Sequence, residues 1–133
     1  MKKLSVMLPA LLAFAVSLSL QAGEPKAYII SPKDGAVVNS PVTVVFGLKG
    51  MGVAPAGVNK ANTGHHHLLV DDKSLPEPGK PMGNNVQHFG GGQTETQLTL
   101  SPGTHTLRLV LGDMMHVPIE PAVVSELVTI TVK

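Results

Sequence analysis

The stretch from Thr94 to Leu111, TETQLTLSPGTHTLRLVL, decides the fold class. Leu107, Leu109 and Leu111 recur at every second residue, the period of a strand whose side chains alternate between two faces. Ser101-Pro102-Gly103 is a tight connection between this run and the preceding one, Thr94–Leu100. Outward in both directions the pattern repeats. Short β-branched runs lie at Ala27–Ser31, Val42–Leu48, His65–Asp71 and Ser125–Val132, with a weaker one near Asn85–Phe89. Turn residues separate them, among them Ser31-Pro32-Lys33-Asp34-Gly35 and Gly90-Gly91-Gly92. No stretch after residue 22 sustains a 3.6-residue apolar period. Seven strands in about 111 residues predict an all-β protein, a seven-stranded immunoglobulin-like antiparallel β-sandwich over residues 23–133.

The first 22 residues read differently. Lys2 and Lys3 precede an apolar run from Leu4 to Leu20, and Gln21-Ala22-Gly23 follows. A charged segment, an apolar segment and a small-residue exit are the marks of a secretory signal peptide cleaved after Ala22. A membrane helix is the competing reading. The run is short for a span of about 20 apolar residues, and Pro9 interrupts it. The expectation is therefore a periplasmic or secreted protein with no membrane span in the mature chain.

Composition narrows the function. Beyond residue 22, eight Lys and Arg face nine Asp and Glu, with Arg108 the single arginine and no basic run, so nucleic acid is not an expected partner. Cysteine is absent, which removes disulfides and thiolate metal sites. Tyr28, Phe46 and Phe89 are too few aromatic rings for sugar stacking. Nucleophilic catalysis lacks a Gly-x-Ser-x-Gly motif, a cysteine, or a serine with an evident histidine–acid relay.

What stands out is histidine. Six are present, and five of them cluster: His65, His66 and His67 open the third run, His88 ends the fourth, and His116 follows Met114 and Met115 in the loop after the sixth. If the strands alternate up and down, the loops after the second, fourth and sixth runs share one end of the sandwich. His105, at the start of the sixth run, falls about 20 Å away and is expected to be structural, bonding backbone. On a strand His65 and His67 share a face, with Cα atoms about 6.6 Å apart, while His66 points with Leu68 and Val70 to the core.

Imidazole and thioether groups bind soft and borderline metals. The candidate ligands are His65, His67, His88 and His116. His66, Met114, Met115, Glu95 and Asp113 are additional candidates: the methionines as thioether ligands, Glu95 as a hydrogen-bond partner of a ligand histidine, and Asp113 rather as a turn-former. The expected cargo is copper, with zinc as the alternative, for storage or delivery. A bland reading stands beside each of these: a loop methionine usually covers a core edge, and a strand glutamate is usually solvated. A second function class is an interaction module for an envelope protein, its histidines forming a hydrogen-bonded network that responds to pH near 6.5. A small metal hydrolase is a third.

Three segments carry a family resemblance: NTGHHHLLVD (62–71), HFGGGQTET (88–96) and LGDMMHVP (111–118). They resemble a small exported bacterial family known as domain of unknown function 4399, over about Gly50–Lys133. The resemblance implies a periplasmic or secreted protein and implies no activity. That family often carries a lysine–asparagine pair where this chain has Met114-Met115, so thioether ligation would not be a shared property.

Overall fold

A computed structural model describes residues 23–133, all of it strands and loops with no helix. The signal-peptide reading falls on residues 1–22, outside the described residues. The strands are β1 (Lys26–Ser31), β2 (Val37–Val38), β3 (Val42–Lys49), β4 (Gly52–Val53), β5 (Thr63–Val70), β6 (Gln87–His88), β7 (Glu95–Leu98), β8 (Gly103–Gly112) and β9 (Val128–Val132). β1, β3 and β7 form a three-stranded sheet in the order β1-β3-β7. The other sheet runs β2-β9-β8-β5-β4, with β6 also paired to β5.

The all-β expectation holds, and all seven predicted runs are strands. Two details are corrected. The described residues hold nine strands rather than seven, and the sandwich is mixed rather than antiparallel. The added strands β2 and β4 each have two residues, and they pair parallel to β9 and β5. Two residues are too few for a period to register in a sequence, and Gly52-Val53 sits in a glycine-rich stretch that reads as loop. The fourth run also shrinks, from 85–89 to Gln87–His88.

The core lies between the sheets. Ala27 and Ile29 of β1 and Val42, Val44 and Phe46 of β3 meet Leu68 of β5, Leu107, Leu109 and Leu111 of β8, and Ile130 of β9. The three β8 leucines are fully buried. Each contributes about 1.5–3 kcal/mol by leaving water, and a one-residue slip would turn all three outward, so the register of β8 is fixed by the core.

That register places the histidines. β8 pairs antiparallel with β5, setting His65 opposite Gly112, His66 opposite Leu111 and His67 opposite Val110. β5 is buried on both faces along most of its length. Its inner face carries His66 and Leu68. Its outer face carries His65, His67 and Leu69, and a second apolar cluster covers it, built from Leu69, Met82, Val86 and Val110.

Candidate metal centre

Four histidine rings meet on the outer face of the six-stranded sheet. His116 Nδ1 lies 3.0 Å from His65 Nε2, 3.1 Å from His67 Nε2 and 3.2 Å from His88 Nδ1. Ring centroids are 4.6 Å apart for His65 and His67, and 4.8 Å apart for His65–His116, His67–His88 and His88–His116. His65, His67 and His116 form the compact set, one ring nitrogen from each lying within 4.8 Å of the others.

Each ring arrives by a separate device. His65 and His67 alternate with His66 on β5 and are fully buried. His88 stands across from His67 in the short β5–β6 pairing. His116 sits in a turn built by Asp113, whose Oδ1 accepts hydrogen bonds from the backbone N–H of Met115 (2.8 Å) and Val117 (2.9 Å). The His116 N–H donates to the Asp113 carbonyl at 3.0 Å, and His116 adopts a φ of 64°. A left-handed backbone is uncommon for a residue other than glycine, and here the turn imposes it. Asp113 is thus the turn-former that the sequence suggests.

Burial favours the neutral ring at His65 and His67. His88 Nε2–H donates to the Gly83 carbonyl at 2.9 Å, so in the neutral ring the Nδ1 lone pair faces His116. Burial, with the neighbouring His116 and His88 rings adding to it, lowers the pKa of His65 against a small opposing pull from Asp113. Burial and the His65, His88 and His116 rings hold His67 down to about 3, and burial and His65 hold His66 down to about 4.

Hydrogen bonding does not account for this packing. His116 Nδ1 carries one hydrogen or one lone pair, so it serves one of its three neighbours well. His65 Nδ1, His67 Nδ1 and both ring nitrogens of His66 are buried without a partner. Each such atom costs about 1–3 kcal/mol. Four together weigh against stability as the reason for the histidine row.

Two further residues shape the site, and neither stands out in the sequence. A Cβ on Gly112 would fall 2.5 Å from His67 Cε1 and 2.8 Å from Met82 Cε, so this position must be glycine for His67 to lie where it does. Met82 is buried, and its N–H donates to the His116 carbonyl at 2.9 Å. Sequence spacing assigns Met82 to an unrelated loop, and only the folded chain brings it beside His67.

The remaining candidates take other positions. His66 lies in the core, its ring 5.2 Å from that of Phe46. Glu95 is exposed on β7 in the other sheet, and among the described residues no hydrogen bond joins it to a histidine. Met114 is half-buried, with its carbonyl accepting from the Gly57 N–H, and Met115 is exposed. His105 stands apart, as expected, with Nε2–H donating to the Ser101 carbonyl at 2.8 Å and Nδ1–H to Asp71 Oδ2 at 2.7 Å.

Residues 44–133 match a family model described as Domain of unknown function (DUF4399), a span that includes all six histidines. No curated protein and no solved structure matches the chain.

Proposed function

We propose that this chain, which belongs to the DUF4399 family, binds a transition-metal ion through His65, His67, His116 and His88. The observation that carries the reading is the crowding of three ring nitrogens at 3.0–3.2 Å around His116 Nδ1. Ligands bonded at 2.0–2.1 Å sit roughly 3.3 Å apart in a tetrahedron and about 2.9 Å apart at adjacent corners of a square. The three spacings from His116 Nδ1 fall between the two. An ion at the centre gives every inward lone pair a partner, which hydrogen bonding does not.

Copper is the first choice and zinc the second. Cu(II) heads the divalent affinity order and accepts tetragonal nitrogen sites, whereas zinc asks for a tetrahedron. The ion is cargo, held for storage or delivery. An exported location, in the periplasm or outside the cell, follows from the signal-peptide reading of residues 1–22. Among the described residues no helix is long and apolar enough to cross a membrane. The order β1-β3-β7 against β9-β8-β5 supports an immunoglobulin-like sandwich in which the fourth predicted strand pairs with β5 instead of β7.

Calorimetric titration with Cu(II) and Zn(II) tests the proposal. One ion should bind per chain with micromolar or tighter affinity. Double replacement of His67 and His116 by alanine should abolish binding, while His105→Ala should leave it intact. Equal losses in both variants would refute the site. The second reading, an envelope-protein interaction module, draws on the direct contacts among the rings, and protein without measurable metal affinity would favour it.

A further inference from the structure

The four rings are not held alike. His65 and His67 are fully buried on β5, which lies between β8 and β4. His116 is half-buried and clamped by the Asp113 turn. His88 is exposed, and its strand pairs with β5 through two residues. The backbone beside it is nonetheless anchored: the Phe89 N–H donates to the His66 carbonyl at 3.1 Å, and the Phe89 ring packs against Phe46 in the core. What is free at His88 is the side chain. Outside the cluster its ring has one tether, the hydrogen bond to the Gly83 carbonyl.

The nitrogens divide in the same way. The compact set is His65, His67 and His116, and His88 joins it through His116. Three histidines are enough to hold a zinc or copper ion while leaving a fourth position for another donor.

We infer that His88 is the exchangeable ligand of this site. His65, His67 and His116 retain the ion, and His88 closes the fourth position from the solvent side. Rotation about its own side-chain bonds, at the cost of the Gly83 hydrogen bond, opens that position to an entering or departing ion or to an imidazole donor from outside. An exposed side chain makes such rotations in nanoseconds, whereas the His65 and His67 rings are fully buried and the His116 ring is half-buried. Exchange at one labile corner reconciles a buried site with loading and delivery. The inference rests on the metal reading above.

The test compares His88→Ala with His116→Ala in the full chain. Zn(II) affinity is measured by titration, and Zn(II) release by the rate of transfer to EDTA. His88→Ala should still bind one ion, with affinity reduced about 10–100-fold and faster release. Millimolar free imidazole should restore most of that affinity by occupying the vacated corner. His116→Ala should lose more affinity and regain less of it with imidazole, because it removes one of the three retaining donors from a half-buried position. Circular dichroism confirms the β content of both variants. If His88→Ala matches wild type in affinity and release, or falls as far as His116→Ala without rescue, His88 is not the exchangeable ligand. Wild-type protein that binds no Zn(II) and no Cu(II) would remove the metal reading, and this inference with it.

Discussion

His67 and His116 are 49 residues apart in the chain, yet His67 Nε2 and His116 Nδ1 lie 3.1 Å from each other. The meeting depends on Val110 lying opposite His67 across β5 and β8, so that the turn beyond Gly112 brings His116 back over the sheet. Two residues outside the ring set hold that arrangement and can be tested directly.

Gly112 is the first. A methyl group there would overlap His67 Cε1 and Met82 Cε. Gly112→Ala should lower stability by about 1–3 kcal/mol, the usual cost of overpacking, and lower metal affinity by a larger factor than that loss implies. Chemical denaturation and Zn(II) titration of the same preparation separate the two effects. Unchanged affinity would mean that His67 does not need its observed position.

Asp113 is the second. Asp113→Ala removes the acceptor of two backbone N–H groups and should cost about 1–2 kcal/mol while releasing His116 from its left-handed conformation. Metal affinity should fall with it. Asp113→Asn keeps an oxygen at Oδ1 and should retain most of both properties. A carboxylate acting instead as a metal ligand would make Asp113→Asn nearly as damaging as Asp113→Ala, a difference the titration resolves.

His66 gives a pH-dependent prediction. Its folded pKa is about 4, pushed below 6.5 by burial and by the neighbouring His65, and His67 lies at about 3. Below pH 6.5 the unfolded chain takes up protons that the folded chain refuses, so stability falls as pH drops from 6.5 toward 4. His66→Leu removes one such group along with two unpartnered nitrogens. The metal-free variant should be as stable as wild type or more so at pH 7, with a shallower loss on acidification, and should keep its metal affinity. Urea denaturation of the metal-free proteins at pH 7.0 and about 5 checks the slope. A large loss of affinity would instead place His66 among the ligands.

His105 behaves in the opposite sense. Its hydrogen bonds to Asp71 and to the Ser101 carbonyl raise its pKa above 6.5. The stabilisation it gives is therefore fully present below pH 6.5 and is lost as pH rises through the raised folded value. On Asp71 burial works upward, and the hydrogen bonds from His105 and the Thr106 N–H outweigh it, leaving its pKa below 3.8. That part of the stabilisation is present above pH 3.8 and fades as pH falls through the lowered folded value. His105→Ala should therefore lower Tm by a few degrees near pH 5 and by less near pH 9, without changing metal affinity.

Much of the site is legible in the chain. Alternation separates His66 from His65 and His67, because successive strand residues must face opposite ways. The up-and-down order of strands is enough to bring His88 and His116 to the same place and to leave His105 elsewhere. Gly112 and Met82 are not legible. A glycine at a strand end signals nothing until the ring that fills its Cβ space is known, and Met82 reaches the site through a loop without periodicity.

The sequence by itself determined the all-β class, the core face of β8 and the facing of His65, His66 and His67, because these depend on a two-residue period that every strand must obey. Tertiary structure alone decided that the six-stranded sheet is mixed, that three rings approach His116 Nδ1 to 3.0–3.2 Å, and that His65 and His67 are fully buried while His116 is half-buried and His88 exposed. Those properties arise from register and loop closure between segments far apart in the chain, and no local pattern encodes the distance between two side chains that meet only when the strands pair.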